Sequence, residues 1–343
     1  MYDIINQITK SMRKKIFYVA AAVAMLSACE GKDAFEQRPD EGEKVSLEVV
    51  ISSSETTKVS GVGGNEEKAV SDYQVLVYDM SSRMLEAFAL PQPSAETVTL
   101  KCTTGPKEIV VLANAPDVTS IVSYDAFVAT SSYLSNNSVG KLVMEGSVAY
   151  EITSALNSVI VNIKRAVAKV VLDKITVDFE SGTYDNMDFV LKDVYLTNVA
   201  GEKKYLAQGQ VPALWYNKIY RTSVTEVDAL VYGSLGDTKL QNPSEYAEKH
   251  HFYCYPNPCK DDTFSSEWSP RPTRLVIEAE LGGKLYYYPV SLPVLLQNTR
   301  YLVSLRIARP GATSPEQDMD RHDATFTINI EEWEAGDDVT EII

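Results

Sequence analysis

Short stretches in which apolar and polar residues alternate recur along most of the chain, and this pattern restricts the fold more than any other feature. Residues 45–52, with the sequence "VSLEVVIS", are the clearest case. Successive side chains of a β-strand point to opposite faces of a sheet, so residues two apart share a face. The spacing therefore predicts a strand with Val45, Leu47, Val49 and Ile51 turned inward.

Further stretches of the same character are separated by residues typical of turns. They predict strands over 73–79, 97–102, 107–115, 168–179, 189–199, 273–281, 284–292, 300–308 and 324–330. Many short strands with such punctuation indicate an all-β protein built from β-sandwiches. Weak patterning over 118–134 predicts one helix, and the Pro-, Asn- and Ser-rich segment 207–272 predicts long loops.

Length and patterning together predict two sandwich domains in tandem. A body of roughly 300 residues exceeds what a single hydrophobic core usually organises. Hydrophobic residues make up 45% of the sequence, which is enough for two cores. A fresh run of strand patterns begins near Lys164 and Arg165, so we place an N-terminal domain at 44–163 and a C-terminal domain at 164–343.

Residues 1–28 are predicted to be a lipoprotein signal peptide. Three consecutive basic residues, 13–15, precede an apolar run over 16–26. That run is shorter than the roughly 20 residues that cross a bilayer but fits the core of a secretory signal. Small residues in "LSAC" lead directly to Cys29, whose thiol would accept the lipid. The charged segment 29–43 is then expected to tether the lipid to the folded body.

The charge balance disfavours nucleic acid as a partner. The formal net charge is −15, and no basic cluster follows the signal peptide. Phosphate backbones would be repelled by such a surface.

The remaining cysteines divide into one buried residue and one pair with open alternatives. Cys102 lies in an alternating stretch and is predicted to be a small buried apolar residue. Cys254 and Cys259 flank "YPNP" and could close a disulfide loop in an oxidising compartment, or remain free. A zinc site is less favoured, because the neighbouring His250 and His251 would point to opposite faces of a strand.

Residues typical of enzyme active sites are scarce. The chain has three histidines, and it contains neither a phosphate-binding glycine loop nor a G-x-S-x-G motif. The acidic pairs Glu66-Glu67 and Glu331-Glu332 are predicted to be solvated surface. Three consecutive tyrosines, 286–288, fit a half-buried strand better than a sugar-stacking surface. We therefore expect a non-enzymatic protein without cofactor or metal.

Several motifs follow one another in a characteristic order. After the "LSAC" motif and the first strand come Lys58, "GVGG" and "VLVYD", then "KCTTGPKEIVVLANA" and "IKRAVAKVVLDKITV". "FYCYPN", "NTRYLVSLRIARPG" and "INIEEW" complete the series. In this order and spacing, over nearly the whole chain, the sequence resembles the FimA-type major fimbrillin family, the type V pilus subunits of Bacteroidales-type bacteria.

The resemblance implies a fold and a route to the cell surface. Family members have two transthyretin-like (Ig-like, Greek-key) β-sandwich domains and reach the outer membrane as lipoproteins, here with palmitate on Cys29. A surface trypsin-like protease then cuts after a basic residue beyond the first strand. The matching position in this chain is Lys58, so the cut would release the strand segment 44–54.

The resemblance also implies how subunits join into an adhesive fimbrium. The groove left by the released strand, formed around Val45, Leu47, Val49 and Ile51, is filled by a C-terminal strand of another pilin subunit. Here that donor segment is 334–343, with Val339, Ile342 and Ile343 as its apolar residues. Uncut precursor stays monomeric because its own strand fills the groove.

Two departures leave alternatives open. The family usually carries arginine at the cleavage site, whereas this chain has Lys58; Arg38 precedes Pro39, which resists trypsin-like cleavage. The donor segment 334–343 also begins with polar residues. An anchor or tip subunit is therefore an alternative to a stalk subunit.

A different class of function is a surface lipoprotein that binds a host glycan, or a protein receptor, through the loops of 207–272. An exposed platform of Trp215, Tyr216 and Trp268 would favour the glycan alternative, and burial of these rings would count against it.

Overall fold

A computed structural model describes residues 42–53, 66–179, 182–184, 186–221, 226–261, 267–319 and 323–333. Residues from Lys44 onward form one compact unit. Strands dominate this unit, which confirms the all-β class. The larger sheets each use strands from one side of Lys164 and Arg165, whereas a two-stranded sheet pairs Ser131–Tyr133 with Glu202–Lys204 across this point. The division into two domains there stays a prediction.

The first half of the chain forms a β-sandwich. Its strands are β1 (Val45–Ser53), β2 (Tyr73–Asp79), β3 (Met84–Ala89), β4 (Thr97–Cys102), β5 (Gly105–Ala113), β6 (Ser131–Tyr133), β7 (Met144–Ile152) and β8 (Asn157–Arg165). All except β6 join one continuous sheet in the order β3-β2-β5-β7-β8-β1-β4. This sheet folds over where β7 meets β8, so β8-β1-β4 packs against β3-β2-β5-β7 around a shared core. At the fold, a Cβ on Gly146 would lie 2.2 Å from the Asn162 carbonyl oxygen, so glycine permits the close approach.

The second half contains two larger sheets and several short strands. Its strands are β9 (Ala168–Val177), β10 (Phe189–Thr197), β11 (Val199–Ala200), β12 (Glu202–Lys204), β13 (Trp215–Tyr216), β14 (Tyr232–Leu240), β15 (Ser244–Tyr246), β16 (His250–Cys254), β17 (Arg274–Leu281), β18 (Lys284–Ser291), β19 (Thr299–Ile307) and β20 (Ala324–Glu332). One sheet has the order β14-β10-β17-β18, and the other has β15-β9-β19-β20 with β16 also paired to β9. Short pairings join β11 to β13 and β12 to β6.

Two predictions of local structure were wrong in part. The predicted helix over 118–134 is reduced to α1 (Tyr124–Ala129), capped by Ser123, because the following residues pair as β6 with β12. The predicted loops over 207–272 contain β14, β15, β16 and a short helix, α2 (Asp228–Val231). These strands carry residues with low β-propensity, such as Gly233 and Asp237, and form because β10 and β9 supply backbone partners.

The hydrophobic core links the two halves. In β2 and β5, Val75 and Val111 face the core of the N-terminal sandwich. Their neighbours Leu76 and Leu112 point the other way, into a larger cluster that continues through the second half. Both faces of β2 and β5 are therefore buried, which explains why these strands read as nearly continuous apolar runs.

A buried carboxylate, Glu67, ties the two halves together. It lies in a short 3-10 helix, Glu66–Lys68, and is 4% exposed. The Tyr253 hydroxyl donates to its Oε1 at 2.5 Å, the Trp333 indole N–H donates to its Oε2 at 3.1 Å, and Lys169 Nζ lies 2.9 Å from Oε1. The prediction of solvated surface is therefore wrong for Glu67, since partners from β16, from β9 and from the residue after β20 enclose it.

Arg165 completes this arrangement, which we call the Glu67 cluster: Glu67, Arg165, Lys169, Tyr253 and Trp333. Arg165 Nε donates to the Glu67 carbonyl oxygen at 3.1 Å, and its guanidinium lies 4.3 Å from the centre of the Trp333 ring. The stacked geometry adds a cation–π attraction to the hydrogen bonds. Lys169 is thus paired with the buried carboxylate of Glu67, and Arg165 binds the backbone carbonyl of the same residue, so both buried cations are held at Glu67.

We expect Glu67→Gln to lower the free energy of unfolding by about 3–5 kcal/mol, because the substitution keeps the shape but removes the negative charge that faces the buried ammonium group of Lys169. Urea denaturation of the full chain measures this loss. Glu151→Gln, an exposed position on β7, is the matched control and should change stability by about 0.5 kcal/mol or less. Equal unfolding midpoints for the two variants would contradict the assigned role.

The three cysteines of the described region are free thiols in different environments. Cys102 is fully buried, as predicted, and burial raises its pKa to about 12, with the Glu86 carboxylate adding to the shift. Cys254 ends β16 with its side chain in the core, and burial raises its pKa to about 12. Cys259 is half-buried, with a smaller rise in pKa caused by burial. The disulfide considered between Cys254 and Cys259 is not formed.

The three cysteines should therefore react with a thiol reagent at different rates. In the full chain with Cys29→Ser, a thiol reagent at pH 8 should modify Cys259 first, because it is more accessible than the buried Cys102 and Cys254, whose raised pKa values leave almost no thiolate at that pH. Cys259→Ser should remove the fast phase, and guanidinium should make the remaining thiols reactive. A fast phase that survives Cys259→Ser, or labelling that requires prior reduction, would refute this order.

Candidate functional site

β1 is an interior strand rather than an edge strand. It pairs antiparallel with β4, from Val45 opposite Cys102 to Val50 opposite Thr97. On its other side it pairs parallel with β8, from Leu47 opposite Asn157 to Ser53 opposite Ile163. Backbone hydrogen bonds therefore hold β1 from both sides, and its removal would leave two facing strand edges without a partner.

The inward face of β1 carries the four predicted residues. Leu47 and Val49 are fully buried, Ile51 is nearly so, and Val45 is partly buried against the same core. Their neighbours include Val98 on β4 and aliphatic residues of β8. The inward packing predicted from the alternating pattern is confirmed. Burying each such side chain contributes roughly 1.5–3 kcal/mol, so an empty groove would be strongly unfavourable.

The outward face of β1 makes few specific contacts. Ser46 and Glu48 are exposed, and Glu48 accepts a hydrogen bond from the Ser158 hydroxyl at 3.0 Å. At the start of the neighbouring strand β8, the buried Asn157 mainly stabilises its own turn, donating to the Ala155 carbonyl oxygen at 2.7 Å. β1 is therefore held by backbone pairing and apolar burial, which another strand of suitable pattern could reproduce.

The Glu67 cluster lies next in sequence to both segments to which the family resemblance assigns a role, residues 54–65 and 334–343. The Glu67 cluster lies just beyond residues 54–65, which follow β1, and it holds Trp333, which directly precedes 334–343. The backbone N–H of Trp333 donates to the Asn298 carbonyl oxygen at 3.3 Å. Glu67, which follows the segment containing Lys58 closely in sequence, and Trp333, which precedes the segment containing Val339, therefore lie in the same cluster.

Several predicted site residues lie outside the described residues. They are Cys29, Lys58, Val339, Ile342 and Ile343. Their roles in lipidation, cleavage and strand donation therefore stay predictions.

The aromatic residues considered for glycan binding do not form an exposed platform. Trp215 is buried and donates its indole N–H to the Pro212 carbonyl oxygen at 2.7 Å. The Trp268 ring packs edge-on against it at 5.4 Å and donates to Asn198 Oδ1 at 3.1 Å. Tyr216 is partly buried against the main core. These rings therefore have structural roles, and the glycan alternative loses the feature on which it depended.

The sequence analysis did not predict that Arg165 and Trp333 contact Glu67. Both occur in motifs that carry the family resemblance, "IKRAVAKV" and "INIEEW", but their contact with Glu67 joins residues far apart in the chain. The described residues hold no group of three or more His, Cys, Asp or Glu side chains arranged for a metal ion. Within the same residues, neither α1 nor α2 is long and apolar enough to span a membrane.

A protein-family comparison matches residues 44–170 to the model described as major fimbrial subunit protein (FimA). The match covers β1 to β8 and the start of β9, so it includes β1 and the two strands that pair with it, β4 and β8. Comparison with curated proteins gives no match.

Solved structures share the fold over most of the chain. A candidate cell adhesion protein from Bacteroides eggerthii aligns with a TM-score of 0.63 at 16% identity, covering 87% of this chain and 98% of its own. A fimbrilin (FimA) from Porphyromonas gingivalis aligns with a TM-score of 0.58 at 16% identity, covering 84% and 98%. The tip fimbrial protein Mfa3 from Porphyromonas gingivalis, with a C-terminal truncation, gives 0.51 at 14% identity, covering 84% and 100%. Residues 44–170 thus match the FimA major fimbrial subunit family, and the chain shares its fold with solved fimbrial and cell adhesion proteins.

Proposed function

We propose that this protein is the precursor of a structural fimbrial subunit, which joins other pilin subunits by protease-triggered donor-strand exchange and serves adhesion at the cell surface. The observation that carries the proposal is the position of β1. It is a whole interior strand of the sandwich, and its inward residues are aliphatic side chains that a second strand could replace. A structural subunit of this kind needs no catalytic residue and no cofactor.

Cleavage after Lys58 would release β1 without opening the rest of the body. Lys58 lies between the end of β1 at Ser53 and the Glu67 cluster. The new N-terminal segment would remain attached at Glu67, whose partners come from the second half of the chain. A surface trypsin-like protease, cutting after a basic residue in a glycine-rich segment, would suit this position.

The same cut would separate the body from its lipid. Cys29 precedes β1, so palmitate on this residue would hold the precursor in the outer membrane until the strand departs. One proteolytic event would then both open the groove and release the subunit for incorporation into a fimbrium.

The segment 334–343 is the proposed donor. Extended at about 3.3 Å per residue, it spans roughly 33 Å, and the nine residues of β1 occupy a similar length. Val339 and either Ile342 or Ile343 would enter the groove of a neighbouring subunit. Backbone pairing with β4 and β8 would supply affinity, and the apolar residues would set the register.

An anchor or tip subunit is the second candidate, and the composition of 334–343 supports it. If Val339 and Ile343 point inward, Asp337 and Glu341 share their face. Carboxylates in an apolar groove cost free energy unless they are paired, so this segment fills a groove less well than β1 does. A subunit with a weak donor segment would suit the end of a fimbrium.

Limited trypsin treatment of the purified precursor should release a fragment ending at Lys58 and yield SDS-resistant oligomers, because an empty groove accepts a strand from a neighbour. Mass spectrometry identifies the fragment, and electrophoresis without boiling measures the oligomers. Lys58→Ala should prevent both outcomes, whereas Lys260→Ala, at an exposed position in the second half of the chain, should leave them unchanged.

Deletion of 339–343 tests the donor separately, since it should block oligomers while the cut monomer stays folded. If cut protein remains monomeric at high concentration, or if the deleted form assembles equally well, the stalk function fails and the anchor or tip function replaces it.

Cys29→Ala should abolish incorporation of labelled palmitate and move the protein out of the outer-membrane fraction, because the lipid is the proposed anchor. Cys259→Ala, which alters a half-buried thiol of the folded body, is the control and should leave both properties intact. Unchanged membrane fractionation of Cys29→Ala would eliminate the lipoprotein assignment.

A further inference from the structure

A buried lysine lies between two carboxylates at one end of the N-terminal sandwich. The Lys107 side chain is fully buried, and its Nζ lies 2.6 Å from Asp79 Oδ2 and 2.7 Å from Glu86 Oε2. The side chains of both acids are also largely buried. One amine therefore faces two carboxyl groups in a site that admits little water.

Three neighbouring strands bring these residues together. Asp79 ends β2, and Lys107 of β5 lies directly opposite it in the antiparallel register. β3 pairs with the other side of β2, and Glu86 is its unpaired residue where the register shifts. A β-bulge of this kind can re-aim a side chain, and here it accompanies the approach of Glu86 to Lys107.

Backbone N–H groups fix the far oxygen of each carboxylate. The Ser82 N–H donates to Asp79 Oδ1 at 2.7 Å, and the Thr103 N–H donates to Glu86 Oε1 at 2.5 Å. The remaining oxygens, Asp79 Oδ2 and Glu86 Oε2, are the ones that face Lys107. The two acids are thus oriented toward the same nitrogen atom.

We propose that Lys107 and Asp79 condense into an intramolecular isopeptide bond, with Glu86 as the residue that transfers the proton. The inference does not depend on strand exchange. Lys107 Nζ attacks Cγ of Asp79, the C–N bond forms, and the bond from Cγ to Oδ2 breaks with release of one water molecule. The reaction needs no oxidant, cofactor or further reactant.

The ionised triad already holds the protons that the condensation requires. Burial alone disfavours the charged form of Lys107, but hydrogen bonds to Asp79 and Glu86 outweigh it and raise the pKa, so the resting state is an ion pair. Transfer of one proton from the ammonium group to Asp79 gives a neutral amine and a neutral acid with no change in total charge. Burial favours this neutral pair relative to its stability in water.

Glu86 and Ser82 would assist the two later stages. Glu86 would accept the next proton from Nζ and deliver it to the departing Oδ2, so that it ends as a carboxylate again. The Ser82 N–H would stabilise the negative charge that develops on Oδ1 during the attack.

The bond would close residues 79–107 into a covalent ring that contains β3 and β4. Such a cross-link stabilises a fold mainly by limiting the conformations of the unfolded chain. Because β4 joins its sheet through β1, the ring would restrain β4 by a connection that does not run through β1.

Peptide mapping of the full chain tests the bond. After unfolding in guanidinium and digestion with trypsin, peptide 69–83 should be joined to peptide 102–141, with a mass one water below their sum. Lys107 should escape cleavage, because its side chain is acylated, and tandem mass spectrometry should locate the link at Asp79 and Lys107. An ion pair would not survive these conditions.

Two variants test the role of Glu86. Glu86→Gln should reduce the linked fraction at a fixed time after synthesis by about 10-fold or more, since it removes the group that transfers the proton. Glu108→Gln, at the next position of β5 and on its opposite face, is the matched control and should change the linked fraction by less than about twofold.

Each outcome decides one part of the inference. Separate peptides, one ending at Lys107 and the next starting at Glu108, would show an ion pair only and overturn the bond. Loss of one water within peptide 69–83, without a link, would indicate cyclisation of Asp79 onto its own backbone and also overturn it. A linked wild-type chain with equal yields for Glu86→Gln and Glu108→Gln would keep the bond and overturn the role of Glu86.

Discussion

The pairing of β1 on both sides is the constraint on which the N-terminal sandwich depends. β4 reaches the rest of its sheet through β1, and β1 in turn pairs with β8. The same strand covers the sandwich core with Leu47 and Val49. A strand must therefore occupy this position for the sandwich to stay closed, because an open position would expose both apolar core and unpaired backbone groups. The identity of the chain that supplies the strand is not fixed by backbone hydrogen bonds, which every sequence can make.

The Glu67 cluster holds the two halves of the chain together through contacts that do not involve β1. Glu67 follows residues 54–65 closely, yet its partners Lys169, Tyr253 and Trp333 belong to the second half of the chain. These contacts do not involve β1, so loss of the strand would leave them intact.

Strand exchange requires a balance between nonspecific and specific interactions. Backbone pairing with β4 and β8 favours any extended segment, whereas the inward side-chain positions discriminate among segments.

The sequence determined the local features of this protein. Alternation in "VSLEVVIS" was sufficient to predict a strand with Leu47 and Val49 inward, because the period of two follows from backbone geometry alone. The same reasoning failed for "YGSLGDTKL", which forms β14 although its glycines disfavour a strand. Pairing with β10 overcomes that local preference, and a partner more than thirty residues away leaves no trace in a short sequence window.

The tertiary structure alone decided the neighbours of β1 and the burial of Glu67. Glu67 stands in a charged run that is typical of solvated surface, and its burial follows from contacts with Arg165, Lys169, Tyr253 and Trp333. Alternation placed four residues on one face of β1, but it could not show that β4 and β8 lie on either side. The physical reason is that side-chain direction is a local property of the backbone, whereas hydrogen-bond partners and cavities depend on which distant segments the folded chain brings together.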